Sequence, residues 1–71
     1  MFEAKRFLVD HFRTPTELIS FVRAFNHEPP KADTVYKWFS RGVLPGEWFP
    51  ILLALLELDR GGPVSIAGYI K

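Results

Sequence analysis

The sequence predicts an all-α fold of four to five short helices in a single domain covering residues 1–71. Two observations predict it. Apolar residues recur at the three- and four-residue spacing of one helix face, and capping or helix-breaking residues separate these apolar segments. A chain of this length buries only about 60% of its unfolded surface, so there is room for one core. Because 48% of the residues are hydrophobic and 15% aromatic, large rings can fill that core.

The first two helices are separated by a capping motif. Helical spacing of the apolar residues predicts a first helix over about residues 2–11. Thr14-Pro15-Thr16-Glu17 then has the pattern of a capping box with proline at the first helical position. We expect the Thr14 hydroxyl to accept from the Glu17 amide, and the Glu17 carboxylate to reach back to Thr14. The second helix is predicted from Pro15 to about Phe25.

A turn and a third helix follow. Asn26 suits the C-terminal end of the second helix, and Pro29-Pro30 cannot continue a helix because neither residue has an amide donor. We expect Asp33 to be the N-cap of a third helix that ends at Gly42 in the left-handed conformation. Val35, Trp38 and Phe39 form the apolar side of this helix.

The opposite side of the third helix is polar. At about 100° per residue, this side holds Asp33, Tyr36, Lys37 and Ser40, with Thr34 and Arg41 on one flank. Residues 1–43 also hold seven Lys or Arg against five acidic residues, whereas residues 44–71 hold two against three. A surface that binds a polyanion is therefore expected in the first part of the chain.

The fourth predicted helix, over residues 47–58, is unusually apolar. Pro50 is tolerated because it falls in the first turn. Apolar residues cover more of this helix than one face of a small core needs, so it is either the central helix or meets another chain. After the break at residues 59–63, the sequence leaves open whether residues 64–71 form a helix or a strand.

Composition excludes several classes of protein. There is no cysteine, so disulfides and thiolate zinc sites are excluded. A chain this short often needs stability beyond that of its own core, and we expect a dimer interface to supply it. The longest apolar run is far shorter than the roughly 20 residues that span a bilayer, and we expect a cytoplasmic protein. His11 and His27 lack an accompanying acidic cluster, and no serine lies in a nucleophile motif. Neither a metal, a cofactor nor an enzymatic activity is expected.

Two helices joined by a turn, the second with an exposed polar side, can place one helix in the major groove of DNA. The residues Val35-x-x-Trp38-x-x-x-Gly42-x-Leu44-Pro45 follow such a first helix. In this pattern the chain resembles phage-type helix-turn-helix repressors of the Cro and CI class. The resemblance covers about residues 14–58. The turn over residues 26–32 is longer than usual for that family and contains two prolines.

The resemblance implies a small repressor-like transcriptional regulator of phage or prophage origin that binds double-stranded DNA with residues 33–41. It implies base contacts from the polar side of the third helix and phosphate contacts from flanking cations. The base-contact candidates are Thr34, Tyr36, Lys37 and Arg41, the phosphate-contact candidates are Lys31 and Arg13 or Arg23, and Ser40 is a further DNA-binding candidate on the same side of the helix. We also expect a homodimer on a partly palindromic operator, through excess apolar residues near the C-terminus: Leu53, Leu58, Ile66, Tyr69 and Ile70.

Two alternatives remain. An excisionase-like architectural DNA-binding protein has a similar tryptophan, glycine and proline pattern, but it continues with a β-hairpin, whereas residues 47–58 have a helical pattern. A protein-interaction module, such as an antirepressor or an adaptor, would use the apolar fourth helix to bind another protein. The net charge of only +1 is compatible with this second alternative.

Overall fold

A computed structural model describes residues 1–70 of the chain and confirms the all-α fold. It contains α1 (Ala4–Phe12), α2 (Pro15–Ala24), α3 (Ala32–Arg41) and α4 (Trp48–Arg60), followed by a 3-10 turn at Ala67–Tyr69. Within the described range, none of the helices combines the length and the apolar character needed to cross a membrane.

The core lies where the apolar faces of the four helices meet. Phe7 and Leu8 of α1, Leu18 and Val22 of α2, Val35 of α3 and Leu52 of α4 are completely buried, and Trp38 is 3% exposed. Large rings fill the core, as the composition predicts: Phe7, Phe12 and Trp38 are buried, whereas Phe21, Phe25 and Phe49 are partly buried and pack around its edge. α3 packs against both α1 and α2. Its inner side is therefore fixed by two helices.

The junction between α1 and α2 contains the predicted cap and a strained residue. The Thr14 hydroxyl accepts from the Glu17 amide at 3.2 Å, which confirms half of the capping box. The return contact from the Glu17 carboxylate is not formed, because the Thr14 amide donates instead to the Phe12 carbonyl at 2.8 Å. This bond closes a γ-turn around Arg13, whose φ of 69° and ψ of −59° are costly for a residue with a β-carbon.

We predict that Arg13→Gly stabilises the fold. Relief of an unfavourable backbone conformation contributes about 1–3 kcal/mol, and the extra flexibility of glycine in the unfolded chain offsets about 0.5–1 kcal/mol of it. The free energy of unfolding, measured in urea, should rise by about 1 kcal/mol. Arg23→Gly is the matched control: Arg23 lies in the last turn of α2 in helical conformation, where glycine should destabilise by up to about 1 kcal/mol. A fall in stability for both variants would contradict strain at Arg13.

The start of α3 differs from the prediction. Asp33 is not the N-cap, because the helix begins at Ala32 and Lys31 occupies the capping position in extended conformation. The Lys31 carbonyl accepts the first helical bond, from the Val35 amide at 3.1 Å. The predicted end is confirmed: Gly42 adopts the left-handed conformation, with φ of 67°. Asp33 therefore lies within the first turn of α3 with its carboxylate exposed.

α4 is longer than predicted, and the tail after it folds back on α1. α4 runs from Trp48 to Arg60 instead of over residues 47–58, and Pro50 lies in its first turn as expected. α1 begins at Ala4 instead of Phe2, because Phe2 pairs with Ile70 in an isolated antiparallel bridge. As far as it is described, through residue 70, the tail is thus neither a regular helix nor a strand. It is a short 3-10 turn followed by one bridging residue.

Polar contacts hold this tail against α1. The Tyr69 hydroxyl donates to the Asp10 carboxylate at 2.9 Å, and the Glu3 amide donates to the Tyr69 carbonyl at 2.6 Å. The Arg6 guanidinium donates to the Gly68 carbonyl at 2.7 Å and lies 4.9 Å from the centre of the Tyr69 ring. The Tyr69 ring thereby lies against two rings of α1, 5.6 Å from Phe7 and 5.9 Å from His11.

Candidate nucleic-acid interface

The outer side of α3 is the candidate interface. Val35 and Trp38 are buried and Phe39 is partly buried, so these three side chains fix the rotation of the helix. The other side chains of α3 fall on the remaining arc, and all of them are exposed: Ala32, Asp33, Thr34, Tyr36, Lys37, Ser40 and Arg41. We refer to this arc as the α3 outer face. It brings together the four predicted base-contacting residues and Ser40.

The cations of the α3 outer face have no partner in the described part of the chain. Neither Lys37 nor Arg41 forms an ion pair or a side-chain hydrogen bond with another described residue. The Ser40 hydroxyl makes one long contact, 3.4 Å, with the Lys37 carbonyl. Tyr36 is 56% exposed although it is a large aromatic residue. These side chains are therefore free to contact a partner without breaking internal bonds.

The three predicted phosphate contacts lie on different elements. Lys31 is exposed directly before α3, so its charge adjoins the N-terminal end of the outer face. Arg23 is exposed in the last turn of α2. Arg13 lines a surface groove with Thr16 and Ser20 at the junction of α1 and α2, and no residue of α3 lines that groove. The structure thus brings Lys31 next to the face but places Arg13 at a separate site.

Sequence reasoning missed Lys5, an exposed cation that adjoins the C-terminal end of α3. A β-carbon added to Gly42 would lie 3.2 Å from the β-carbon of Lys5, so the backbones of α1 and α3 are close there. Nothing local to Lys5 indicates this proximity, because the two residues are far apart in sequence. Arg6, one residue later, already bonds Glu3 and the tail and is a poorer candidate for a phosphate contact.

The long turn between α2 and α3 is anchored to α4. Asn26 adopts the left-handed conformation at the end of α2, with φ of 59°, as its predicted role requires. The His27 ring packs edge-on against Trp48 at 5.5 Å, and Trp48 lies 5.9 Å from the buried Trp38. This aromatic chain connects the turn to the core. The two prolines therefore do not detach the turn from the rest of the fold.

The predicted dimer residues divide into two groups. Leu53, Ile66 and Tyr69 are partly buried and pack against the core of their own chain. Leu58 is 70% exposed and Ile70 is 54% exposed. Ile70 also borders an apolar groove of about 310 Å³ that is lined by Phe2, Leu44, Gly46, Phe49 and Ile66. Of the five, Leu58 and Ile70 offer the most apolar surface to a partner.

His11 lies next to the Arg13 groove and carries a perturbed imidazole. Its Nε2 atom is buried without a hydrogen-bond partner, and its ring lies 4.8 Å from the Phe7 ring. Burial lowers the pKa of His11 below its ordinary value of 6.5, the Asp10 carboxylate acts in the opposite direction, and the Arg60 charge lowers it further. The neutral imidazole is therefore the form that the fold accommodates.

This shift predicts a loss of stability in mild acid. Below the ordinary pKa of 6.5 the unfolded chain binds a proton that the folded chain resists, so stability should fall as the pH falls from about 6.5 toward the lowered pKa. The melting temperature should drop between pH 7.5 and pH 5.5, and His11→Phe should remove most of that drop. His27→Gln, which changes the other histidine, should keep it. An equal drop in wild type and His11→Phe would exclude His11 as the cause.

A comparison of the chain with protein-family models, with curated proteins and with solved structures finds no match.

Proposed function

We propose that the chain is a small sequence-specific DNA-binding protein, a regulator of transcription, that places the α3 outer face in the major groove of double-stranded DNA. The observation that carries the proposal is that the four predicted base-contacting side chains share this exposed face with Ser40, and that Lys37 and Arg41 have no partner among the described residues. The major groove is about 12 Å wide and admits one helix of this kind. Val35 and Trp38 hold the helix from behind.

The charges around α3 support this orientation. Lys31 precedes the helix, Arg41 ends it, and Lys5 adjoins its C-terminal end. Lys31 and Lys5, beyond the two ends of the outer face, are well placed for the phosphates on either side, while Lys37 and Arg41 on the face can reach base edges. The positive charge is therefore distributed along one helix, which a near-neutral chain can achieve without a strongly basic composition.

Regulators of this kind gain affinity by binding as dimers, and we propose that this chain does so too. Two copies related by a twofold axis would place two α3 helices in successive major grooves, about 34 Å apart, on a partly palindromic site. The exposed Leu58 and Ile70 are the side chains that support a dimer surface. Leu58→Glu and Ile70→Glu test the two locations separately, since only the substitution in the true interface should convert a dimer to a monomer in analytical ultracentrifugation.

The exposure of Leu58 also supports a second candidate function. A leucine that is 70% exposed on a strongly apolar helix is suited to contact another protein. On this reading the chain is an adaptor or antirepressor that binds a protein through α4. This second candidate predicts that the chain does not bind duplex DNA and that Leu58→Glu abolishes its binding to the partner protein.

A titration of fluorescently labelled duplex DNA at several salt concentrations tests the proposal. We expect binding whose logarithmic affinity falls with the logarithm of salt concentration by about 0.9 for each phosphate contacted. Duplexes selected from a random pool should compete better than scrambled duplexes of equal length. Arg60→Ala, which removes a cation at the end of α4, is the control and should leave the preferred sequence unchanged. Absence of duplex binding at low salt would contradict the proposal.

A further inference from the structure

An exposed carboxylate lies at the N-terminal end of the α3 outer face. Asp33 was expected to cap the helix, but it lies in the first turn, exposed, without a hydrogen bond or ion pair to another described residue. Lys37 is one helical turn further along, about 6 Å along the axis, and does not pair with it. Among the described residues, the face therefore presents one anion and one cation in the same row, neither with a partner.

This anion is unfavourable on a surface that only binds phosphates. A carboxylate beside the DNA backbone is repelled by it, and Asp33 lies between the flanking cations of α3 in the direction that would face the groove. A negative charge at the N-terminal end of a helix does stabilise that helix modestly through the helix dipole. That role explains an acidic residue in the first turn but predicts no effect on which DNA sequence is bound.

The base edges in the major groove offer a partner for the carboxylate. Cytosine presents its N4 amino group there as a hydrogen-bond donor, whereas guanine and thymine present acceptors that would repel an anion. Adenine presents an amino donor beside the N7 acceptor, so a carboxylate suits it less well than cytosine does. A carboxylate only accepts hydrogen bonds, so cytosine is the base whose major-groove edge matches it best.

We propose that Asp33 determines specificity by accepting a hydrogen bond from the N4 amino group of a cytosine in each half-site. This inference rests on the proposed binding of the α3 outer face in the major groove. The carboxylate reduces affinity for DNA in general and regains it only on duplexes with cytosine at the matching position. Asp33 is then a residue that rejects wrong sequences, while Lys37 and Arg41 supply attraction.

Selection of bound duplexes from a random pool, followed by titration of single-base variants, tests the assignment. With wild-type protein, replacing the selected cytosine by thymine should weaken binding about 5- to 150-fold, because the amino donor becomes an acceptor. Asp33→Ala should lose the preference at that position and bind random duplex about threefold more tightly at low salt. Asp33→Asn should prefer adenine there, because an amide can bond adenine N6 and N7 together.

Asp59→Asn is the matched control, because it removes the same charge from an exposed position at the end of α4. It should keep the cytosine preference. If Asp33→Ala and Asp33→Asn select the same sequences as wild type, Asp33 has only its structural role and the inference is wrong. If wild-type protein binds no duplex at all, the proposed function fails and the inference fails with it. Measurement of the wild type alone distinguishes these two results.

Discussion

Trp38→Ala should remove most of the stability of the domain. The indole is 3% exposed and packs against the Trp48 ring at 5.9 Å, at the point where α3 meets the core. Loss of a buried aromatic side chain costs about 3–5 kcal/mol, which is comparable with the whole stability of many small domains. The melting temperature, measured by circular dichroism at 222 nm, should fall by more than about 12 °C.

Tyr36→Ala is the matched control for Trp38→Ala. It removes a large aromatic side chain from the same helix, two residues away, but from the outer face, where Tyr36 is 56% exposed. Its effect on stability should stay within about 0.5 kcal/mol. Similar losses for the two variants would mean that the helix is rotated about its axis. The α3 outer face would then not be the surface described above.

The helices and their ends were largely predictable, because they depend on neighbours in sequence. Thr14 caps α2, and Asn26 and Gly42 adopt the left-handed conformation after α2 and α3, as local residue preferences predict. The spacing of Val35 and Trp38 also predicted which side of α3 is buried. Once Val35 and Trp38 face the core, the predicted base-contacting residues must lie on the exposed side of the helix.

The start of α3 was predicted wrongly because two local preferences compete there. Aspartate is favoured as an N-cap, but alanine has the highest helix propensity, and Ala32 extends the helix beyond Asp33. The Lys31 carbonyl can still accept the Val35 amide, so the longer helix gains a backbone bond. A choice between these two starts depends on packing that the sequence does not display.

The tail and the Lys5 contact depend on residues far apart in the chain. Tyr69 bonds Asp10, which is 59 positions earlier, and Phe2 pairs with Ile70. The spacing of apolar residues within 64–71 does not indicate which distant residues the tail contacts. The close approach of Gly42 to Lys5 is of the same kind, since it results from the packing of α3 on α1. Because sequence patterns do not show contacts of this range, Lys5 was not among the predicted phosphate contacts.

The double substitution Lys37→Ala and Arg41→Ala should weaken sequence-specific DNA binding strongly without unfolding the chain. Both side chains are exposed and unpaired in the described part of the structure, so neither supports the fold. A good base contact contributes about 1–3 kcal/mol, so the loss of two corresponds to about 2–6 kcal/mol. That change weakens binding of the selected duplex by at least about 30-fold, which a fluorescence anisotropy titration measures directly.

The melting temperature of this double variant should match that of wild type, because surface substitutions of unpaired residues change stability little. Lys37→Ala alone should relax the base preference, whereas Lys31→Ala should weaken all duplexes similarly and reduce the salt slope by about 0.9, as loss of one phosphate contact requires. A double variant that binds the selected duplex as tightly as wild type would exclude the α3 outer face as the DNA-binding surface. Binding through α4 would then become the better account of the chain.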